Sequence, residues 1–161
     1  MDFTTADLCD EFAPLVHIAE PLLRDYGGVK SFYGQIETVN VFEDNTLVRQ
    51  KVETAGEGRV LVVDGGGSLR CALVGDQVAQ LAYQNGWAGL VINGCIRDAA
   101  EIAKIPLGVK ALNTMPKRSA KKGFGDYNAP LRFAGVVFNP GDYLYADLDG
   151  IIVASQNLLQ P

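Results

Sequence analysis

Two stretches near the middle of the chain, Arg59 to Val63 (RVLVV) and Ala88 to Asn93 (AGLVIN), run apolar almost without interruption. Both are short, and aliphatic or β-branched residues dominate them, so they predict strands buried on both faces. The periodicity then changes. Asp76 to Asn85 (DQVAQLAYQN) spaces its apolar residues as a helix does, with Gly86 standing where a C-cap belongs. Arg97-Asp98 stands at the mouth of another predicted helix, Asp98 to Ile105, which Pro106 closes. Leu69 to Val74 is expected as a short helical piece and Gly94-Cys95-Ile96 as a turn. The order strand, loop, helix, strand, loop, helix favours parallel pairing with right-handed crossovers.

The flanks add elements of other kinds. Thr5 to Phe12 opens on a capping residue, carries acids in its first turns and predicts a short helix. Tyr33 to Phe42 suits a strand, and Asp44 to Ala55 a capped helix ended by Gly56. After a strand over Leu107 to Asn113, residues Met115 to Asn128 form a polar, basic, glycine-containing loop. Leu131 to Phe138, Tyr143 to Asp147 and Gly150 to Ala154 predict strands, the last two joined across Asp149-Gly150, a strong hairpin signal. No repeat, low-complexity tract or linker breaks the pattern. The expectation is one α/β domain over residues 1–161 with a largely β C-terminal part.

At 161 residues, 48% apolar and 20% charged, the chain can bury a core without disulfide or metal staples. No apolar run approaches the roughly 18 residues that span a bilayer. Met1-Asp2-Phe3-Thr4-Thr5 has neither the basic start nor the apolar run of a signal peptide, so a cytoplasmic location is expected. Cys9, Cys71 and Cys95 are scattered, without a CxxC spacing, and read as reduced, buried thiols. A net charge of -5 argues against nucleic acid as a direct partner. The one basic cluster, Lys117-Arg118 with Lys121-Lys122, reads as a solvated loop or a local anion contact. An acidic surface also suits docking on a basic protein segment.

Candidate chemistry sits in the loops after the two buried strands, since ligands collect beyond the carboxyl ends of parallel strands. One loop is Asp64-Gly65-Gly66-Gly67-Ser68 and the other Asn93-Gly94-Cys95-Ile96-Arg97-Asp98; between them Gly75-Asp76-Gln77-Val78 begins a helix whose free amides suit a carboxylate or phosphate. Arg97 offers a fork of donors for a carboxylate or a developing enolate oxygen. Asp98 is a hard oxygen ligand suited to Mg2+ or Mn2+. Glu101, one helical turn on, could orient a metal-bound water, as could Asp76. Each feature has a plainer meaning: glycines for close backbone approach, since neither GxxxxGK[ST] nor GxGxxG is present, and Arg97-Asp98 as a helix-start charge pair. His17, the sole histidine, lies in an apolar stretch and reads as structural.

Three segments carry a family resemblance: Val62 to Arg70 (VVDGGGSLR), Gly94 to Asp98 (GCIRD), and Tyr145-Ala146-Asp147 before Gly150-Ile151-Ile152-Val153. With the opening Asp7-Leu8-Cys9-Asp10, they resemble the RraA-like family over nearly the whole chain. That family contains regulators of ribonuclease E activity and class II 4-hydroxy-4-methyl-2-oxoglutarate aldolases. Asp76, Arg97, Asp98 and Glu101 match the aldolases' spacing of an Asp, twenty residues, Arg-Asp, and an acid three positions later. The resemblance implies a three-layer β/β/α swivelling-domain fold and a homotrimer with sites near subunit boundaries. It also implies Asp98 as direct metal ligand, Arg97 on the pyruvyl part of a 2-oxo acid, and Gly75, Asp76, Gln77 and Val78 holding its carboxylate through backbone amides. Asp76 would position a water that serves as acid or base, with Glu101 further out. The implied activity is metal-dependent retro-aldol cleavage to pyruvate, with oxaloacetate decarboxylation through the same enolate. The regulator branch implies instead a non-enzymatic partner that binds ribonuclease E.

Overall fold

The computed structural model describes residues 2–159; Met1 of the N-terminal reading and Gln160-Pro161 lie outside them. Helix α1 (Thr5–Glu11) precedes the short strands β1 (His17–Ile18) and β2 (Arg24–Asp25) and the nine-residue β3 (Phe32–Asn40). Helix α2 (Thr46–Val52) leads to β4 (Val60–Asp64), β5 (Ala72–Val74), α3 (Asp76–Gln84), β6 (Gly89–Ile96) and the one-turn α4 (Ala99–Ile102). Strands complete the chain: β7 (Gly108–Thr114), β8 (Asp126–Tyr127), β9 (Leu131–Phe133), β10 (Val136–Phe138), β11 (Tyr143–Asp147) and β12 (Gly150–Ala154).

Strand β3 organises the layers because it is shared. Its first half, Phe32 to Gln35, pairs antiparallel with β11; its second half, Ile36 to Asn40, pairs parallel with β4. The parallel centre continues through β4, β6 and β7, while β11, β12 and β1 form an antiparallel wing that curls away. The continuous apolar run of β4 is buried on both faces, as its composition requires. Leu61 and Val63 pack against Val48, Val78, Ala79, Ala82 and Ile102 of the three central helices. Val60 and Val62 face Phe138, Leu144, Ile151 and Val153 of the hairpins and wing. The result is a β/β/α layering, with α1 on the outer face of the wing, where Leu8 meets Tyr145, Ile152 and Leu158. The Thr5 amide and hydroxyl both donate to the Asp147 carboxylate at 2.7 Å, and Thr4 rather than Thr5 caps α1, accepting from the Asp7 amide at 3.0 Å.

Several elements depart from the sequence expectation. Residues Ala72–Val74 form a strand, not a helical piece, because all three side chains are buried beside the end of β6. The predicted turn at Gly94-Cys95-Ile96 is an extension of β6 past an irregularity in its register with β7. Leu131 to Phe138 is a hairpin, turning at Ala134 (φ 52°) and Gly135 (φ 74°). Helix α4 covers Ala99–Ile102 rather than Asp98 to Ile105: Asp98 takes the left-handed conformation (φ 59°, ψ 41°) and stands outside the helix, which also ends three residues before Ile105. Strands β1, β2 and β8 carry too little pattern, at two residues each, to be read in advance.

Candidate functional site: a small cleft at the start of helix α3

Strands β4 and β6 run parallel with Asp64 opposite Asn93, so the loops that leave them lie side by side. In the glycine run, the Gly65 and Gly67 amides donate to the Asn93 carbonyl (3.0 and 3.1 Å) and the Gly66 amide to Asp64 Oδ1 (2.9 Å). Asn93 Nδ2 donates to the same Oδ1 at 2.9 Å. The run is therefore closed on itself. Its first glycine is needed for packing: a Cβ on Gly65 would stand 2.5 Å from Leu73 Cδ1 and 2.9 Å from the Asn93 oxygen.

The start of α3 is built differently. Strand β5 lies beside β6, Ala72 opposite Cys95 and Val74 opposite Ile96, and delivers the chain to Gly75. The Arg97 amide donates to the Val74 carbonyl at 2.9 Å, which sets Arg97 beside that turn. The left-handed backbone at Asp98 folds its side chain back, and Asp98 Oδ2 accepts from the Asp76 amide at 3.1 Å. Asp98 thus caps α3 rather than its own helix. A Cβ at Gly75 would lie 2.7 Å from Asp98 Oδ2 and 3.5 Å from Arg97 Nε, so glycine is what admits both side chains.

Gly75, Asp76, Gln77, Val78, Arg97 and Asp98 all line one cleft of about 130 Å³. The structure does not bring Glu101 into it. That carboxylate is exposed, pairs with Lys104 Nζ at 3.4 Å, and lines the adjoining groove, which Asp76 and Gln77 share. Of the amides assigned to an incoming carboxylate, that of Asp76 is engaged by Asp98; those of Gln77 and Val78 remain as open donors of the helix start. Among the described residues no three His, Cys, Asp or Glu side chains gather as a metal-ligand set. Two carboxylates line the cleft, those of Asp76 and Asp98, and one oxygen of Asp98 is free of protein donors among the described residues. One carboxylate with several waters is an ordinary Mg2+ site, so the donor set fits a hard cation.

A further part of the lining, next to Pro116, whose carbonyl accepts from Arg97 Nη1 at 3.5 Å, escaped the sequence reading. It consists of Arg118, Ser119 and Lys121, from the basic segment read as a solvated loop or anion contact. The backbone there is pinned. The Ala72 amide donates to the Lys117 carbonyl (2.7 Å), the Asn45 amide to Ser119 Oγ (3.1 Å) and the Ala120 amide to the Glu43 carbonyl (2.9 Å). Asp44, only 3% exposed, accepts from the amides of Lys122 and Gly123 at 2.7 and 2.9 Å and from Thr46 at 3.0 Å. Burial pushes its carboxyl pKa up, but the amide donors outweigh that and hold it down to about 2. Cys71 and Cys95 are buried near the cleft, and burial raises both thiols, which makes them poor nucleophiles. His17, read as structural, is exposed on β1.

Similarity to known proteins covers the whole of this architecture. The RraA-like family model, described as Aldolase/RraA, matches residues 5–153. A protein of Alkalilimnicola ehrlichii, provisionally named a 4-hydroxy-4-methyl-2-oxoglutarate aldolase, is 54% identical over 99% of this chain and 99% of its own. A Geobacillus kaustophilus structure described as S-adenosylmethionine:2-dimethylmenaquinone methyltransferase is 52% identical, with a TM-score of 0.96 and 98% of each chain covered. The RNA-processing inhibitor RraA from Thermus thermophilus is 42% identical, with a TM-score of 0.94 over 99% of this chain and 98% of that one. These relatives carry three different activities in their names, so the choice among them rests on the chemistry of the cleft. The chain belongs to the RraA-like family.

Proposed function

We propose that the protein is a divalent-metal-dependent lyase that cleaves 4-hydroxy-4-methyl-2-oxoglutarate to pyruvate and decarboxylates oxaloacetate at the same site. One observation carries the proposal: Asp98 adopts a left-handed backbone that brings its carboxylate over Gly75, beside Arg97. Such a conformation costs on the order of 1 kcal/mol and persists where the surroundings fix it, often at functional sites. The cleft is small, about 130 Å³, and adjoins the groove that Asp76 and Gln77 share.

Asp98 would hold Mg2+ or Mn2+, which when bound polarises the keto acid and acidifies a bound water. The remaining work falls to the chain. Open amides of Gln77 and Val78 at the positive end of α3 receive the C1 carboxylate. Asp76 takes up the proton of the C4 hydroxyl through a water. The C3–C4 bond breaks, C4 becomes the carbonyl of the first pyruvate, and its bonding electrons pass to the enolate of the second. Arg97 stabilises the enolate oxygen, and protonation at C3 completes the product. In oxaloacetate the bond to the departing carboxylate breaks instead and leaves the same enolate. A homotrimer in which a neighbouring chain completes the cation's shell belongs to this proposal, as does a cytoplasmic location; among the described residues no helix is long and apolar enough to cross a membrane.

A pyruvate-coupled assay with both substrates, with and without Mg2+, tests it. Asp98→Ala should abolish metal-dependent pyruvate release, and persistent activity in that variant refutes the assignment. Arg97→Ala should lower turnover by roughly a hundredfold, and a decrease below about threefold removes Arg97 from the mechanism. The 42% identity to an RNA-processing inhibitor supports a second reading, a regulator that binds ribonuclease E; retention of the chain by immobilised ribonuclease E, with no pyruvate formed, would favour it.

A further inference from the structure

We propose that a cavity between the β9–β10 hairpin and strand β12 binds a free α-amino acid with a large apolar side chain, holding its carboxylate with Arg132 and its ammonium group with Asp142. The cavity measures about 630 Å³, within the roughly 300–1,000 Å³ usual for small-molecule sites. It shares no lining residue with the cleft at the start of α3. The two also lie on opposite faces of the parallel sheet. Val136 and Val153 of the cavity belong to the core between sheet, hairpin and wing, whereas Val78 of the cleft belongs to the core under the helices. A ligand in the cavity is therefore independent of the lyase reading.

Two opposite charges line this cavity without meeting. Among the described residues neither Arg132 nor Asp142 makes an ion pair. Asp142 accepts from Asn139 Nδ2 at 3.3 Å, which leaves its carboxylate with acceptor capacity to spare. The register puts both charges toward the open end of the hairpin. Arg132 stands opposite Val137, next to the Leu131–Phe138 pair, beyond which the chain leaves through Asn139 to Asp142. Tyr143 lies opposite Ala154, so Asp142 comes beside Ser155, whose hydroxyl joins the polar end. Toward the turn the lining becomes apolar: Phe133 stands opposite Val136 and stacks on Phe138 at 4.4 Å, and Val153 completes the surface from β12. His17, opposite Val153, adds its ring to the wall. A simple acid would leave Asp142 facing a like charge, a simple amine would do the same to Arg132, and a hydrocarbon would pair neither. A zwitterion with an apolar body satisfies both charges and covers the apolar surface.

Calorimetry on the full chain tests the site with three probes: L-phenylalanine, 3-phenylpropionate, which lacks the amine, and 2-phenylethylamine, which lacks the carboxylate. Wild type should bind one L-phenylalanine per chain, about tenfold or more tightly than either analogue. Arg132→Gln should abolish the advantage of L-phenylalanine over 2-phenylethylamine, because the group that reads the carboxylate is gone. Asp142→Asn should abolish the advantage over 3-phenylpropionate, because the group that reads the ammonium is gone. Arg132 is exposed, so its replacement empties no core, and circular dichroism checks that both variants fold. Should Asp142→Asn unfold, Arg132→Gln decides alone. No binding by wild type, equal binding of the three probes, or a preference that a folded variant keeps overturns the site.

Discussion

Two glycine-bearing turns follow β4 and β5, strands that both pair with β6, and they differ in what becomes of their amide hydrogens. In the Gly65–Ser68 turn the donors are spent on Asn93 and Asp64, and the loop presents little to a ligand. At Gly75 a single amide is taken, by Asp98, and four charged side chains converge from β6 and from the basic segment. The richer glycine run is the structural one. A cradle is defined by donors left open and by charge brought from elsewhere in the chain, not by the number of glycines.

Substitution at the two turns should separate them most clearly. Gly75→Ala forces Asp98 Oδ2 and Arg97 away from their places, but Asp98 is a side chain free to move, so the fold should hold while turnover drops by roughly tenfold to a hundredfold. Gly65→Ala meets backbone and a buried leucine, and should cost about 1–3 kcal/mol of stability while kcat per folded molecule stays near wild type. Thermal melts beside kinetics would read both, and the opposite pairing of effects would reverse the roles given to the turns.

The floor under the cationic wall gives a smaller, pH-dependent effect. Asp44→Asn should destabilise by about 1–3 kcal/mol at neutral pH, because one charged acceptor serves several amides. The folded-state pKa of about 2 lies below the ordinary 3.8, so this stabilisation is fully present above pH 3.8 and lost as pH falls through about 2. Denaturant melts should show wild type and variant converging over that window; a constant gap would contradict the account. The smallest effect is expected at His17, exposed on the far edge of the antiparallel wing. His17→Ala should change stability by less than about 0.5 kcal/mol and leave kcat/KM unaltered. A loss of activity there would place part of the site on the wing.

What could be read from sequence follows the range of the interactions. Strand β4, the helix α3 with its capping glycines and the β11–β12 hairpin carry their signals within a few residues, and the structure has them close to where the pattern puts them. Strand β5 is three buried residues whose pairing partner lies more than twenty positions on; its apolar run does not distinguish strand from helix. The β9–β10 turn puts Ala134 at a positive φ where Asn or Asp is usual, so the hairpin lacked its marker. Strand β2 is tied by Asp25 to Lys110 at 3.3 Å, across 85 residues. The same limit applies to the site. Asp76, Arg97 and Asp98 sit at element boundaries that the pattern reveals, but the cationic wall depends on an Asp44 staple 78 residues from Lys122. Nor does spacing foretell that Asp98 would turn left-handed and cap the neighbouring helix while Glu101 turns away.

The most direct test of the site is a Mn2+ titration of the intact chain, followed by water-proton relaxation, on wild type and Asp98→Ala. One Mn2+ per chain bound by wild type and none by the variant, with circular dichroism unchanged, is the predicted result. Equal binding by the two proteins would place the cation elsewhere and contradict the account.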